Sequence, residues 1–103
     1  MPEMHFSVRW PDGDEMRCYS PSLVVREYLE VGRAYSVSDF LDRTRTLLNI
    51  GSERVRAKFG FACSSAMDQL AIIEERGAGC TQDDLVQVTA FELPAGVEEV
   101  RNV

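Results

Sequence analysis

The sequence predicts an α+β fold: a small antiparallel sheet, formed by an N-terminal hairpin and a C-terminal strand, with three to four helices packed on one face. Three observations carry this expectation. Residues 4–10 alternate apolar and polar side chains and run into Pro11-Asp12-Gly13. Residues 36–77 space their apolar side chains as helices do, with glycines as punctuation. Residues 85–93, LVQVTAFEL, are rich in β-branched and aromatic types.

In the first segment Met4, Phe6, Val8 and Trp10 fall on one face and His5, Ser7 and Arg9 on the other. Pro11 fixes the φ of a type I turn and Gly13 takes the left-handed position after it, which gives a three-residue loop with a bulge. That turn sets the register. Trp10 faces Asp14, Val8 faces Met16 and Phe6 faces Cys18, so Met16 and Cys18 join the apolar face.

Ser20-Pro21-Ser22 reads as a helix start, with Ser20 as cap and Pro21 at the first helical position. LVVREYLEV then reads as a short helix ending near Gly32, while two valines and a tyrosine leave an extended alternative. The main helix has Ser36 as cap, with Asp39 three residues on and Tyr35 and Phe40 at staple positions. Val37, Phe40, Leu41, Thr44, Leu47 and Leu48 carry it to about Ile50, and Gly51 is its expected stop. Ser52 restarts a helix whose core stripe includes Val55 and Phe59, ended by Gly60. A further helix begins between Phe61 and Ser65 and runs through Met67, Leu70 and Ile73 to Gly77. Pro94 closes the last strand, and residues 94–103 read as a loose tail. Phe6, Val8, Trp10, Phe40, Leu41, Leu48, Leu70, Ile73 and Val88 are the expected core.

A chain of 103 residues, 45% hydrophobic and 27% charged, is a single globular domain (1–103) with no need of a disulfide or structural metal. No apolar run approaches the roughly 18 residues of a membrane span. The first ten residues lack a basic leader and apolar block, so the expected location is cytoplasmic. Cys18, Cys63 and Cys80 show no close ligand spacing, so neither a metal nor a cofactor is expected and the thiols read as reduced.

Cys63 is the candidate catalytic residue, because it falls at the first turn of a helix, where amide dipoles favour a thiolate. Its plain alternative is packing beside Phe61, Ala66 and Met67. His5, the one histidine, is placed by the register on the opposite sheet face from Cys18, which argues against a nucleophilic pair; it reads as a solvated strand residue. Asp12 with Asp14, Glu74 with Glu75 and Asp83 with Asp84 read as hydrated surface. No phosphate-cradling glycine pattern is present. Two helices joined at Gly60 resemble a helix-turn-helix, but Asp68, Glu74 and Glu75 on the second would face phosphates, so no nucleic-acid partner is expected.

Charge supplies the other candidate site. The formal charge of −6 lies wholly in residues 59–103, with eight acids and two bases, while residues 1–58 balance nine of each. Arg43, Arg45, Arg54, Arg56 and Lys58 crowd one helical stretch, and with Gly51 as a turn they would meet as one exposed cationic surface. Such a patch on an acidic chain suits an acidic protein partner, an anionic metabolite or the acidic half of another copy. The plain alternative is a solvated face with weak local pairing.

The strings MPEMHFSVRWPDG, CYSPSLVV and RVRAKFGFACSSAMDQL resemble a small bacterial family of nitrogen starvation response proteins, over Met1 to about Leu93. The resemblance implies expression under nitrogen limitation. It also implies genes encoded beside a nitrilase, a radical-SAM enzyme, an acetyltransferase and a flavin oxidoreductase. It brings no catalytic residues. The resulting expectation is a non-enzymatic accessory or binding protein of a nitrogen-starvation-linked pathway, meeting a pathway enzyme or forming a homo-oligomer through the basic helical patch, away from membranes. The alternative is a small thiol-dependent enzyme using Cys63.

Overall fold

Strand β1 (Met4–Arg9) turns back into β2 (Glu15–Ser20) through the loop the sequence specifies. The Trp10 N–H donates to Asp14 O at 2.8 Å, the Gly13 N–H donates to Trp10 O at 2.8 Å, and Gly13 has φ +89°. Phe6 pairs with Cys18 and Val8 with Met16, the expected register. In this computed structural model, which describes residues 3–94, the tail expected from position 94 lies beyond Pro94 outside the described residues. Three helices and four strands follow the order ββαβααβ, and the antiparallel sheet has the order β2-β1-β4-β3. No described helix is long and apolar enough to cross a membrane.

The hairpin is joined by β4 (Leu85–Glu92), which pairs with β1, and by a strand the sequence does not announce, β3 (Ala34–Ser36) on the outer edge of β4. Three residues are too few to show a period. The β1–β4 register shifts between Ser7 and Val8, so Val8 pairs with Val88 and Ser7 with Ala90, with Thr89 as the extra residue. The bulge turns Phe91 inward to pack on the core and leaves Ala90 exposed, reversing the strict alternation begun by Val86 and Val88.

After β2 the chain differs from the helical expectation. The Ser20 hydroxyl donates to Ser22 O at 2.9 Å and Ser22 Oγ accepts from the Val24 N–H at 3.3 Å, so two buried serines fold residues 20–24 into a turn. Only one helical turn follows, α1 (Val25–Tyr28), because Leu29 is already extended and buried.

The larger correction concerns Gly51. The main helix α2 (Val37–Phe59) runs through it for 23 residues and ends at left-handed Gly60. Ser36 caps its start, accepting from the Asp39 N–H at 3.1 Å, as expected. Gly51 is buried because Pro21 lies against it; a Cβ there would stand 2.8 Å from Pro21 Cγ. The glycine records a close approach, not a break. Helix α3 (Ser64–Ala78) returns antiparallel in chain direction and packs on α2, with Leu41 against Gly77.

The core lies between the sheet and the helices. Phe6, Val8, Trp10, Phe40, Leu41, Leu48, Ile73 and Val88 are buried, and Trp10 meets Phe40 edge to face at 5.5 Å. The Trp10 indole N–H has no acceptor among the described residues, at a cost of about 1–3 kcal/mol. Leu70 is only half-buried, and Phe59, expected in the core, is 52% exposed. A continuous α2 carries its last two turns past the core, where every residue from 53 to 59 except half-buried Val55 is exposed.

Two stability measurements test this account. Gly13→Ala is expected to lower the unfolding free energy by about 1 kcal/mol, since alanine disfavours the left-handed position. Gly51→Ala would gain about 1 kcal/mol of helix propensity in an open helix but is expected to destabilise here by about 1–3 kcal/mol through overpacking on Pro21. Combined with Pro21→Ala, the same change should recover most of that loss in urea titrations.

Candidate functional site

The five cations of the predicted patch divide into two groups. Arg43 is built into the fold: its Nε donates to Asp39 at 3.0 Å and its NH1 to Tyr28 O at 2.7 Å, and its guanidinium lies 4.8 Å from the Tyr35 ring centre. It fastens the end of α1 to α2. Arg45 bridges to Glu74 on α3 and to Asp42, the latter at 3.4 Å. Both are engaged within the fold, although the Arg45 side chain stays 47% exposed. An unbroken α2 also removes the turn across which all five were to meet.

Arg54, Arg56 and Lys58 remain, on the overhanging end of α2. Among the described residues Arg54 and Lys58 have no ion-pair partner, and Arg56 has only an exposed contact with Glu53 at 3.7 Å, worth little. Beside them stand Phe59 and Phe61, 52% and 67% exposed, with ring centres 6.4 Å apart and the Lys58 ammonium 5.6 Å from the Phe59 ring. Along the outer side of the helix, Asn49, Ile50, Glu53, Arg54 and Ala57 line a mainly apolar groove of about 540 Å³. Sequence reasoning found the cations but assigned Phe59 inward; helical spacing alone does not show where a helix outruns its sheet.

The opposite end of α2 is acidic. The Asp84 carbonyl accepts from the first helical N–H, that of Val37, at 2.8 Å, which sets the 81–84 loop at the helix start. The hairpin turn lies alongside. Arg76, from the end of α3, donates to Asp12 at 2.5 Å, approaches Asp14 at 3.7 Å and lies 5.5 Å from the Trp10 ring centre. The Asp14 N–H, then Arg76, holds the Asp12 carboxyl below its ordinary value. Between turn, α3 and loop is a cleft of about 270 Å³, walled by Pro11, Asp12, Arg76, Cys80, Thr81 and Asp84. Asp83 and Asp84 are exposed, and Leu85 beside them is 58% exposed.

The three thiols differ. Cys18 is buried, and burial pushes its thiol up from 9.0 to about 12. Cys80 lies 3.7 Å from the Arg76 guanidinium. Cys63 immediately precedes α3, half-buried, with its N–H donating to Ser52 Oγ at 3.3 Å. The Tyr19 phenol is raised above its ordinary value by burial first, then by Glu3 and Cys63. His5 packs edge to face on Tyr19 at 5.7 Å, on the face away from Cys18. Among the described residues no group of three or more His, Cys, Asp or Glu side chains is placed to hold a metal ion.

A family model described as nitrogen starvation-induced protein NitG matches residues 5–92. No curated protein and no solved structure matches the chain.

The Cys18 environment has a testable pH consequence. Because its folded value is raised, the associated stability is intact below the ordinary thiol value of 9.0 and is lost as pH rises toward about 12. Urea midpoints between pH 8 and about 11 should fall more steeply for the native chain than for Cys18→Ala. Alkylation of the folded protein should spare Cys18 and reach Cys63 and Cys80 first.

Proposed function

The chain belongs to the family of the nitrogen starvation-induced protein NitG, and on that premise we propose that it is a non-enzymatic binding protein of the nitrogen-starvation response whose contact surface is the end of α2 with the α2–α3 turn. The observation that carries this reading is the pair of exposed rings, Phe59 and Phe61, set among Arg54, Arg56 and Lys58. Exposed aromatics beside arginines are the residues that anchor protein interfaces, because they bury large area at small entropic cost and the cations steer the encounter. The surface fits an acidic protein partner carrying an apolar spot. Arg43 and Arg45 hold the helix in place and make no part of the contact.

A second reading rests on Cys63. Its position at the start of a 15-residue helix, beside the Tyr19 phenol and Glu3, suits a nucleophilic thiol in a small enzyme. Alkylation rate against pH separates the two: a Cys63 thiolate titrating well below about 8.5 favours chemistry, and a slow, ordinary thiol favours binding.

Reversal of Arg54 and Arg56 to Glu tests the first reading directly. The variant should keep its melting temperature within a few degrees, since neither side chain supports the core. Affinity capture from nitrogen-starved cells should recover a pathway protein with the native chain in a salt-sensitive way, and lose it with the variant and with Phe61→Ala. Equal recovery by the reversed protein at the same salt would reduce the patch to ordinary surface.

A further inference from the structure

We infer that this protein also associates with itself end to end, the α2–α3 tip of one copy seating on the acidic cleft at the far end of the next. The inference deepens the docking reading of the tip and rests on it. The two surfaces sit at opposite ends of one rigid element. Asp84 is bonded to the first residue of α2, and Phe59 is its last. At 1.5 Å per residue, 23 residues separate them by roughly 34 Å, too far for one copy to satisfy both.

The ends are complementary in two respects. Among the described residues, the tip leaves Arg54 and Lys58 unpaired and gives Arg56 only an exposed contact with Glu53; at the other end Arg76 pairs with Asp12 and Asp14, and Asp83 and Asp84 remain unpaired. Each end also exposes apolar surface, Phe59 and Phe61 on one and Leu85 on the other. The cleft between Asp12 and Asp84 is open and of a size to accept one long or aromatic side chain from a neighbour. Asp83 and Asp84 make no side-chain hydrogen bond or ion pair among the described residues, so their charge is available. A contact between two different patches is heterologous, so it leaves one tip and one cleft free after each addition and grows into short chains.

Sedimentation velocity of the full chain, from about 10 μM to 1 mM at about 50 mM salt, reads this directly. The average sedimentation coefficient should rise with concentration and fall back to the monomer value at about 0.5 M salt, where the screening length is roughly 4 Å. Arg54→Glu with Arg56→Glu blocks one end, and the charge-neutral Asp83→Asn with Asp84→Asn blocks the other without creating a partner for the reversed tip; each double variant alone should stay monomeric. Mixed in equal amounts, they retain one intact tip and one intact cleft and should form a 1:1 dimer and nothing larger. A native chain that stays monomeric to 1 mM, or a mixture that fails to dimerise, overturns the inference. Assembly lost only in the tip variant also overturns it, while leaving the tip a docking surface. Assembly unchanged in both variants overturns the tip-to-cleft contact and argues against the tip as a docking surface as well.

Discussion

The contact between Pro21 and Gly51 governs the shape of this molecule. Without a Cβ at position 51 the turn after β2 lies directly on α2, held by the two serine hydroxyls that satisfy its backbone. The helix thereby passes beneath the turn unbroken, and its N-terminal half keeps Phe40, Leu41, Leu47 and Leu48 in the core. Had the helix stopped at Gly51, Ser52 to Phe59 could have folded back and buried the ring of Phe59. Continuity instead sends that ring and three cations beyond the core.

Ion pairs then sort the charges by role. Arg43, Arg45 and Arg76 each join two elements and carry a second contact to an aromatic ring or another carboxylate, so each acts as a strap more than as a surface charge. Such pairs are individually weak when exposed, but each also orders packing beneath it. Among the described residues Arg54 and Lys58 have no such attachment, so their charge stays unpaired at the tip.

The same geometry bears on the thiol question. Cys63 lies near the tip because α3 begins there, and Tyr19 reaches it because β2 is an edge strand; the Gln69 amide oxygen accepts from the outward Tyr19 N–H at 2.9 Å and covers that edge. Any chemistry at Cys63 would therefore take place beside the proposed contact surface. Binding and reactivity at this end of the molecule are neighbours, separable by variants because Arg54 and Arg56 do not touch the thiol's recorded partners.

The sequence by itself determined the elements whose cause is local. Pro11-Asp12-Gly13 dictates the hairpin loop and its register, and Ser36 with Asp39 dictates where α2 starts. Alternation and helical spacing placed eight of the nine expected core residues in the interior, Leu70 excepted, and the clustered cations were visible as a string. What only the tertiary structure decided were features caused by distant partners. β3 exists because β4 offers it an edge, the bulge at Thr89 exists because Phe91 has a core to fill, and Gly51 is helical because Pro21 needs its missing Cβ. A glycine that ends a helix and a glycine that admits a neighbour look alike in sequence, since both are defined by an absent side chain. That single ambiguity separated a patch of five cations from a tip of three, and an inward Phe59 from an exposed one.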